Sequence, residues 1–288
     1  MRVTWHDVGN VRVAALLVGD ADLSDPITQY FPEAPPEPLL AHRERTPGVY
    51  GHGDTWHLFV RAWLLLHPGG VTLVDTGVGE AGAPAMGWYP EPGRLAEALA
   101  DAGSAPDQVD TVVITHVHDD HIGGVVIGDP AVPAFPRARY LIQQADLDFQ
   151  RELAAEHEED RVIWHQLLQP LLDAGVVDPV RGDHHLTDLL ELRHAPGHTP
   201  GHQVVQIASN GRRMLLAADT FNHPAQLGRP TWPSGTDSHP HVATATRRAV
   251  LAQLASHPGT VIAPGHFDAP FGAVRSGRDG LAEWQPIT

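Results

Sequence analysis

The segment Thr115-His116-Val117-His118-Asp119-Asp120-His121 places four potential metal ligands, His116, His118, Asp120 and His121, within six residues. It follows the short β-branched run Val109–Thr115, which reads as a buried strand. His116 and His118 alternate, so they share a face if strand geometry persists. Asp120 and His121 fall where the chain turns and can aim elsewhere. Two directions from one loop suit two adjacent metal ions. A second segment, His194-Ala195-Pro196-Gly197-His198-Thr199-Pro200-Gly201-His202, brackets His198 with two Pro-Gly turns and leaves it at the loop apex. His198 is the expected ligand there, with His194 and His202 supporting or packed. In Leu215-Leu216-Ala217-Ala218-Asp219-Thr220 a carboxylate ends an apolar strand, where burial without a partner is costly. A metal pair would compensate it, and the two oxygens of Asp219 can bridge two ions. The last segment, Ile262-Ala263-Pro264-Gly265-His266-Phe267, again sets a His just past a strand and a Gly.

Composition narrows the chemistry. The chain has 288 residues with 35 acidic and 19 basic side chains, a formal net charge of −16. All the basic residues are Arg, Cys is absent, and there are 20 His. Thiolate nucleophiles, disulfides, Cys-ligated zinc and iron–sulfur clusters are excluded, as are Schiff-base and Walker-type lysine chemistry. What remains in quantity is His and Asp, ligands of borderline metal ions and carriers of protons. The acidic balance argues against nucleic acid or an anionic membrane as partner, since phosphate binding needs a basic footprint. The densest basic spots, Arg212-Arg213 and Arg247-Arg248, read as solvated faces. The first residues do not resemble a signal peptide, and apolar runs such as Ala62–Leu66 are too short to span a bilayer. A cytoplasmic protein is expected.

Positioning these residues requires strands. Val11–Val18 reads as a first strand ended by Gly19-Asp20. Residues 23–50 carry six prolines and read as an irregular Pro-rich arm, neither helix nor central strand. His57–Leu66 and Val71–Val74 form a hairpin signal around His67-Pro68-Gly69-Gly70, closed by Asp75-Thr76-Gly77. A helix over Gly93–Ala102 and strands at Arg139–Gln143, Leu189–His194, Gln203–Ile207, Met214–Ala218 and Thr260–Ala263 follow, with an amphipathic helix over His241–His257. Ala145–Ala174 reads as a helical insert, broken near Glu156–Asp160, that could serve as lid, homodimer surface or plain structure. Two groups of strands, each followed by helix, predict two mixed sheets with helices outside in a single α/β domain over residues 1–288.

Taken together, the four segments, their order and their spacing resemble the metallo-β-lactamase fold superfamily of hydrolases, and Val74-Asp75-Thr76-Gly77 is similar to that family's first motif. The resemblance spans Val71 to Phe267. It implies an αββα sandwich with a dinuclear site at one edge. His116, His118 and His198 would hold the first ion, Asp120, His121 and His266 the second, and Asp219 would bridge. Asp75 would orient ligands. Zinc suits imidazole and carboxylate, with manganese, iron and cobalt as alternatives.

The implied function is hydrolysis by a metal-bridging hydroxide, with Asp120 placed to pass a proton to the leaving oxygen. Fold alone does not choose the substrate. Diiron oxidoreductases of the family carry Glu where this chain has His118, nuclease branches want a basic surface, and the main β-lactamases use a Cys ligand. The flanks Asp219-Thr220-Phe221-Asn222-His223-Pro224, Trp232-Pro233, Gly265-His266-Phe267 and Pro270-Phe271-Gly272 most resemble the acyl-homoserine lactonase and methyl-parathion-hydrolase-like branch. Quorum-quenching lactonases often carry a Tyr three residues after the bridging Asp; here that position is Asn222, so Asn222 or His223 is the candidate replacement donor. Phe221, Trp232, Phe267 and Phe271 are candidate pocket walls, and Trp88 and Tyr89 candidates for the site mouth. The expected substrate is a neutral hydrophobic small molecule, a lactone or related ester. Phosphotriesters, aryl esters and thioesters on the same site are the alternative, and an iron-dependent oxidoreductase a further one. His184-His185, His239 and His241 read as exposed or capping.

Overall fold

The computed structural model describes residues 2–277 and 279–287. Sixteen strands form two seven-stranded sheets and one small hairpin. The first sheet runs in the order β1 (Val3–Val8), β2 (Val11–Pro26), β3 (Thr55–His67), β4 (Gly70–Val74), β5 (Thr111–Val113), β8 (Arg139–Gln143) and β9 (Val177–Val180). The hairpin is β6 (Val126–Ile127) with β7 (Val132–Pro133). The second sheet orders β10 (His184–His185), β11 (Leu190–His194), β12 (Gln203–Ser209), β13 (Arg212–Ala218), β14 (Val261–Pro264), β15 (Gly272–Ser276) and β16 (Ala282–Pro286).

Side-chain alternation makes this a sandwich. In β2, Val11, Val13 and Ala15 face one way, and Ala14, Leu16 and Val18 the other. The first set joins Trp63, Leu65, Val74, Val113 and Leu141 against Leu192, Val205, Ile207, Met214 and Leu216 of the second sheet, forming the core between the sheets. The second set packs beneath helical segments that include Ala98, Leu147, Leu167 and Leu171. The far face of the second sheet, with Val204, Leu215 and Ile262, is covered by Val250 and Leu254 of the helix Pro240–Ser256. These layers are the expected αββα arrangement. No helix among the described residues is long and apolar enough to cross a membrane.

Three local expectations are corrected. The first strand does not end at Gly19-Asp20: β2 continues to Pro26 through a register shift between Leu17 and Gly19. A β-bulge absorbs the glycine, and a Cβ there would lie 2.7 Å from the Tyr89 hydroxyl. The Pro-rich arm contains the tail of that strand and two short helices, Ile27–Tyr30 and Pro36–Ala41. All but Pro32 of its prolines stand at helix starts, where the missing N–H has no intrahelical partner to lose. Ile27, Phe31, Leu39 and Val49 bury into the core. Strands β1, β6, β7, β9, β10, β15 and β16 escaped the sequence reading, β10 because His184-His185 read as exposed or capping; six of the seven have no fully buried apolar run.

Candidate metal centre

The site sits where parallel strands end together. β4 pairs parallel with β5, and β13 with β14, so each pair delivers its C-terminal ends to one edge. Asp75 follows β4, His116 follows β5, Asp219 follows β13 and His266 follows β14. His198 comes from the turn between β11 and β12. Asp75 and Ala218 hold left-handed backbone, with φ of 60° and 42°. Such a conformation costs a non-glycine residue on the order of 1 kcal/mol, a local strain set beside the site's carboxylates.

All seven expected ligands converge. Three overlapping groups have ligand atoms within 4.8 Å of one another: His116, His118 and His198; His116, His121 and Asp219; Asp120, His121 and His266. His118 Nδ1 lies 3.1 Å from His116 Nε2 and 3.0 Å from His198 Nε2. His121 Nε2 lies 3.4 Å from His266 Nε2. Nitrogens bound tetrahedrally to one zinc at about 2.0–2.1 Å stand roughly 3.3 Å apart, so the spacing fits an ion in each group. The Asp219 carboxylate lies between the groups. Oδ1 is 3.2 Å from His121 Nε2 and 3.1 Å from His266 Nε2; Oδ2 is 3.2 Å from His266 Nε2 and 3.3 Å from His198 Nε2.

The donors are aimed by their other ring nitrogens. His121 Nδ1 donates to Asp75 Oδ2 at 2.8 Å, and His266 Nδ1 to the Phe59 carbonyl at 2.7 Å. His116 Nδ1 donates to Thr115 Oγ1 at 3.1 Å, while that hydroxyl donates to Asp75. His198 Nδ1 donates to Asp237 Oδ1 at 3.1 Å. Each of these four imidazoles, when neutral, thus turns a lone pair to the centre. Burial and the crowding of neighbouring imidazoles drive His116 and His118 well below the usual range, toward the neutral ligand form. Burial opposes ionisation of Asp219, but the charges of His266 and His121 outweigh it and hold its carboxyl well below the usual range.

His202, fully buried, donates from Nδ1 to the Ala195 carbonyl and accepts the Asp219 N–H at Nε2. Burial, then His198, lowers it to about 3, so it supports the Asp219 backbone as a neutral ring. His194 is exposed. Asn222 Nδ2 donates to Asp219 Oδ2 at 2.6 Å, so its amide donor is engaged by the carboxylate. His223 is packed among the rings of Phe31, His42 and Tyr50 at 5.3–5.6 Å, with its Nε2 unpartnered. Phe221, Phe267 and Phe271 are core residues rather than pocket walls, at most 2% exposed: aromatic bulk beside a strand end packs most readily beneath the sheet. The aromatic residue that does approach the cluster is Trp56, 6.3 Å from the His266 ring. Tyr89 is buried, Trp232 partly so, and exposed Trp88 donates to Asp119 Oδ2.

Three further residues hold the site and escaped the sequence reading. Asp146 accepts from the Val117 N–H, the Thr199 hydroxyl and the Gly201 N–H, joining the two histidine loops. The buried Arg61 guanidinium donates to the Gly265, Phe267 and Asp268 carbonyls around His266. Asp237 holds His198. Asp146→Ala would leave three buried donors unpaired, and unpaired buried groups cost about 1–3 kcal/mol each. A stability loss of about 3 kcal/mol or more is expected from denaturant unfolding; a loss below about 1 kcal/mol would contradict that role.

Residues 56–266 match the family model described as the metallo-beta-lactamase superfamily. An N-acyl homoserine lactonase of a Bacillus species is 28% identical over 168 residues, covering 54% of this chain and 60% of that protein. The chain therefore spans about three fifths of that relative's length. A second N-acyl homoserine lactonase, from Azorhizobium caulinodans, is 27% identical over 244 residues, covering 75% of this chain and 84% of that protein. Among solved structures, a dizinc quorum-quenching lactonase in complex with a product superposes with a TM-score of 0.85 at 21% identity, over 99% of this chain and 97% of that one. That likeness shows a shared fold.

Proposed function

This chain belongs to the metallo-beta-lactamase superfamily, and we propose that it is a dinuclear metal-dependent hydrolase of neutral apolar lactones or related esters. The observation that carries the proposal is the Asp219 carboxylate standing within 3.3 Å of imidazole nitrogens from both groups, His121 and His266 on one hand and His198 on the other. His116, His118 and His198 would hold one ion; Asp120, His121 and His266 the other; Asp219 would bridge. Two divalent ions, zinc by the donor chemistry, supply Lewis acidity and an activated water when bound.

The chain's own residues do the rest. Asp75, Asp237 and the Phe59 carbonyl fix which nitrogen His121, His198 and His266 present. Asn222 orients the bridging carboxylate. Asp120 Oδ2, 3.5 Å from His266 Nε2 and 3.6 Å from His121 Nε2, is the group at the cluster placed to pass a proton to the leaving oxygen. Trp56, 6.3 Å from the His266 ring, sets aromatic surface beside the cluster, which suits an uncharged acyl or alkyl group. The lactonase relatives support the lactone reading.

The test is kcat/KM of metal-loaded protein across lactones, aryl esters, thioesters and phosphotriesters. Lactones are expected to exceed phosphotriesters by at least about tenfold, which corresponds to roughly 1.4 kcal/mol of transition-state stabilisation. Cleavage of phosphodiesters with no turnover of any carboxylic ester would overturn the proposal.

A further inference from the structure

The helix Pro240–Ser256 forms a platform behind the site. The His239 N–H donates to the Gly197 carbonyl at 2.9 Å and the Ser238 N–H to the His198 carbonyl at 2.8 Å. The Thr246 hydroxyl donates to the Pro196 carbonyl at 2.6 Å. Gly197, with φ of 131°, lies so close that a Cβ would stand 2.1 Å from the Ala243 nitrogen. The loop that carries His198 is thus pressed directly onto this helix.

Arg247 projects from the helix into the interior. The sequence reading placed it on a solvated face; it is 1% exposed. Its Nε–H donates to the Thr220 carbonyl at 2.9 Å, one residue beyond Asp219. Its Nη2 donates to both oxygens of Asp237, at 2.9 and 2.6 Å. Asp237 Oδ1 also accepts from His198 Nδ1, and Oδ2 from the Ser234 N–H at 2.9 Å. One guanidinium therefore touches both the carboxylate that holds His198 and the carbonyl of the residue that follows Asp219.

We propose that Arg247 is a positioning residue for the metal centre, acting through Asp237 on His198 and through Thr220 on Asp219. The inference rests on the reading that this cluster holds metal. Without Arg247 the Asp237 carboxylate would be a buried, uncompensated charge, held only by His198 Nδ1 and the Ser234 N–H. The planar guanidinium neutralises it and, being held also by Thr220, fixes its plane. The hydrogen on His198 Nδ1 is thereby kept on the Asp237 side, and Nε2 stays turned toward His118 Nδ1 and Asp219 Oδ2. Lysine carries the charge but lacks the fork that spans Thr220 and both Asp237 oxygens.

The experiment compares wild type with Arg247→Lys, Arg247→Met and Asp237→Asn. Zinc affinity is measured by competition with a chromophoric chelator, together with kcat and KM for a lactone and the thermal midpoint. Loss of a hydrogen-bonded support typically weakens metal binding roughly 10- to 100-fold. Asp237→Asn and Arg247→Met are expected to show that loss for the more tightly held ion, with kcat reduced in step and KM within about twofold of wild type. Arg247→Lys is expected to fall between wild type and Arg247→Met. If Arg247→Met does not fold, Asp237→Asn and Arg247→Lys decide. Wild-type zinc affinity and kcat in both, or a lowered midpoint with zinc affinity unchanged, would overturn the inference alone. A wild-type protein that takes up no zinc would overturn the reading of the site as well.

Discussion

Replacing Asp219 with Ala is expected to release both metal ions and lower lactone turnover by at least about 10³-fold, since loss of several kcal/mol of metal-derived stabilisation corresponds to that factor. The carboxylate is 4% exposed and lies within 3.3 Å of imidazole nitrogens of His121, His266 and His198. Removing it takes one ligand from each ion and leaves imidazoles facing one another across a gap. Elemental analysis after gel filtration should find less than half of the wild-type metal. Retention of both ions with turnover within tenfold of wild type would show that Asp219 does not bridge.

Asp120→Ala should separate the two halves of the centre. Asp120 belongs only to the group with His121 and His266, whereas His116, His118 and His198 form a group without it. One ion is expected to remain and the other to be weakened. Turnover should fall by about 10²-fold or more, the usual contribution of a positioned proton donor. The loss should be larger for substrates with poorer leaving groups, since a good leaving group needs no proton. A uniform loss across leaving groups would leave Asp120 a ligand only.

The residues that converge at the candidate centre were legible because each motif is local. His116, His118, Asp120 and His121 lie on one loop, and His198, Asp219 and His266 each follow a strand or turn with its own signal. The αββα layering followed from the same strands and from their resemblance to a known family. The supports were not legible. Asp146 serves Gly201, 55 positions away, and Arg61 serves Phe267, 206 positions away. A lone acid on a helix or a lone Arg in a strand carries no sign of such a partner. Arg247 beside Arg248 resembles a solvated basic spot, yet helical geometry points neighbours in different directions, and only Arg247 is buried. Likewise Phe221 and Phe267 flank the motifs but pack under the second sheet, while Trp56, far upstream in β3, approaches His266 because the sheets meet there.

The buried arginines also refine what the absence of Lys means. Arg61 and Arg247 are directed at backbone carbonyls and at Asp237. Their role is to hold the loops of the centre. This agrees with a site built for an uncharged substrate.

The central claim is tested most directly by titrating chelator-stripped protein with zinc while following lactone hydrolysis. Activity is expected to be absent without metal and to rise to a plateau at two equivalents per chain. A plateau at one equivalent, or lactone hydrolysis that persists in the stripped protein, would contradict a dinuclear hydrolytic centre.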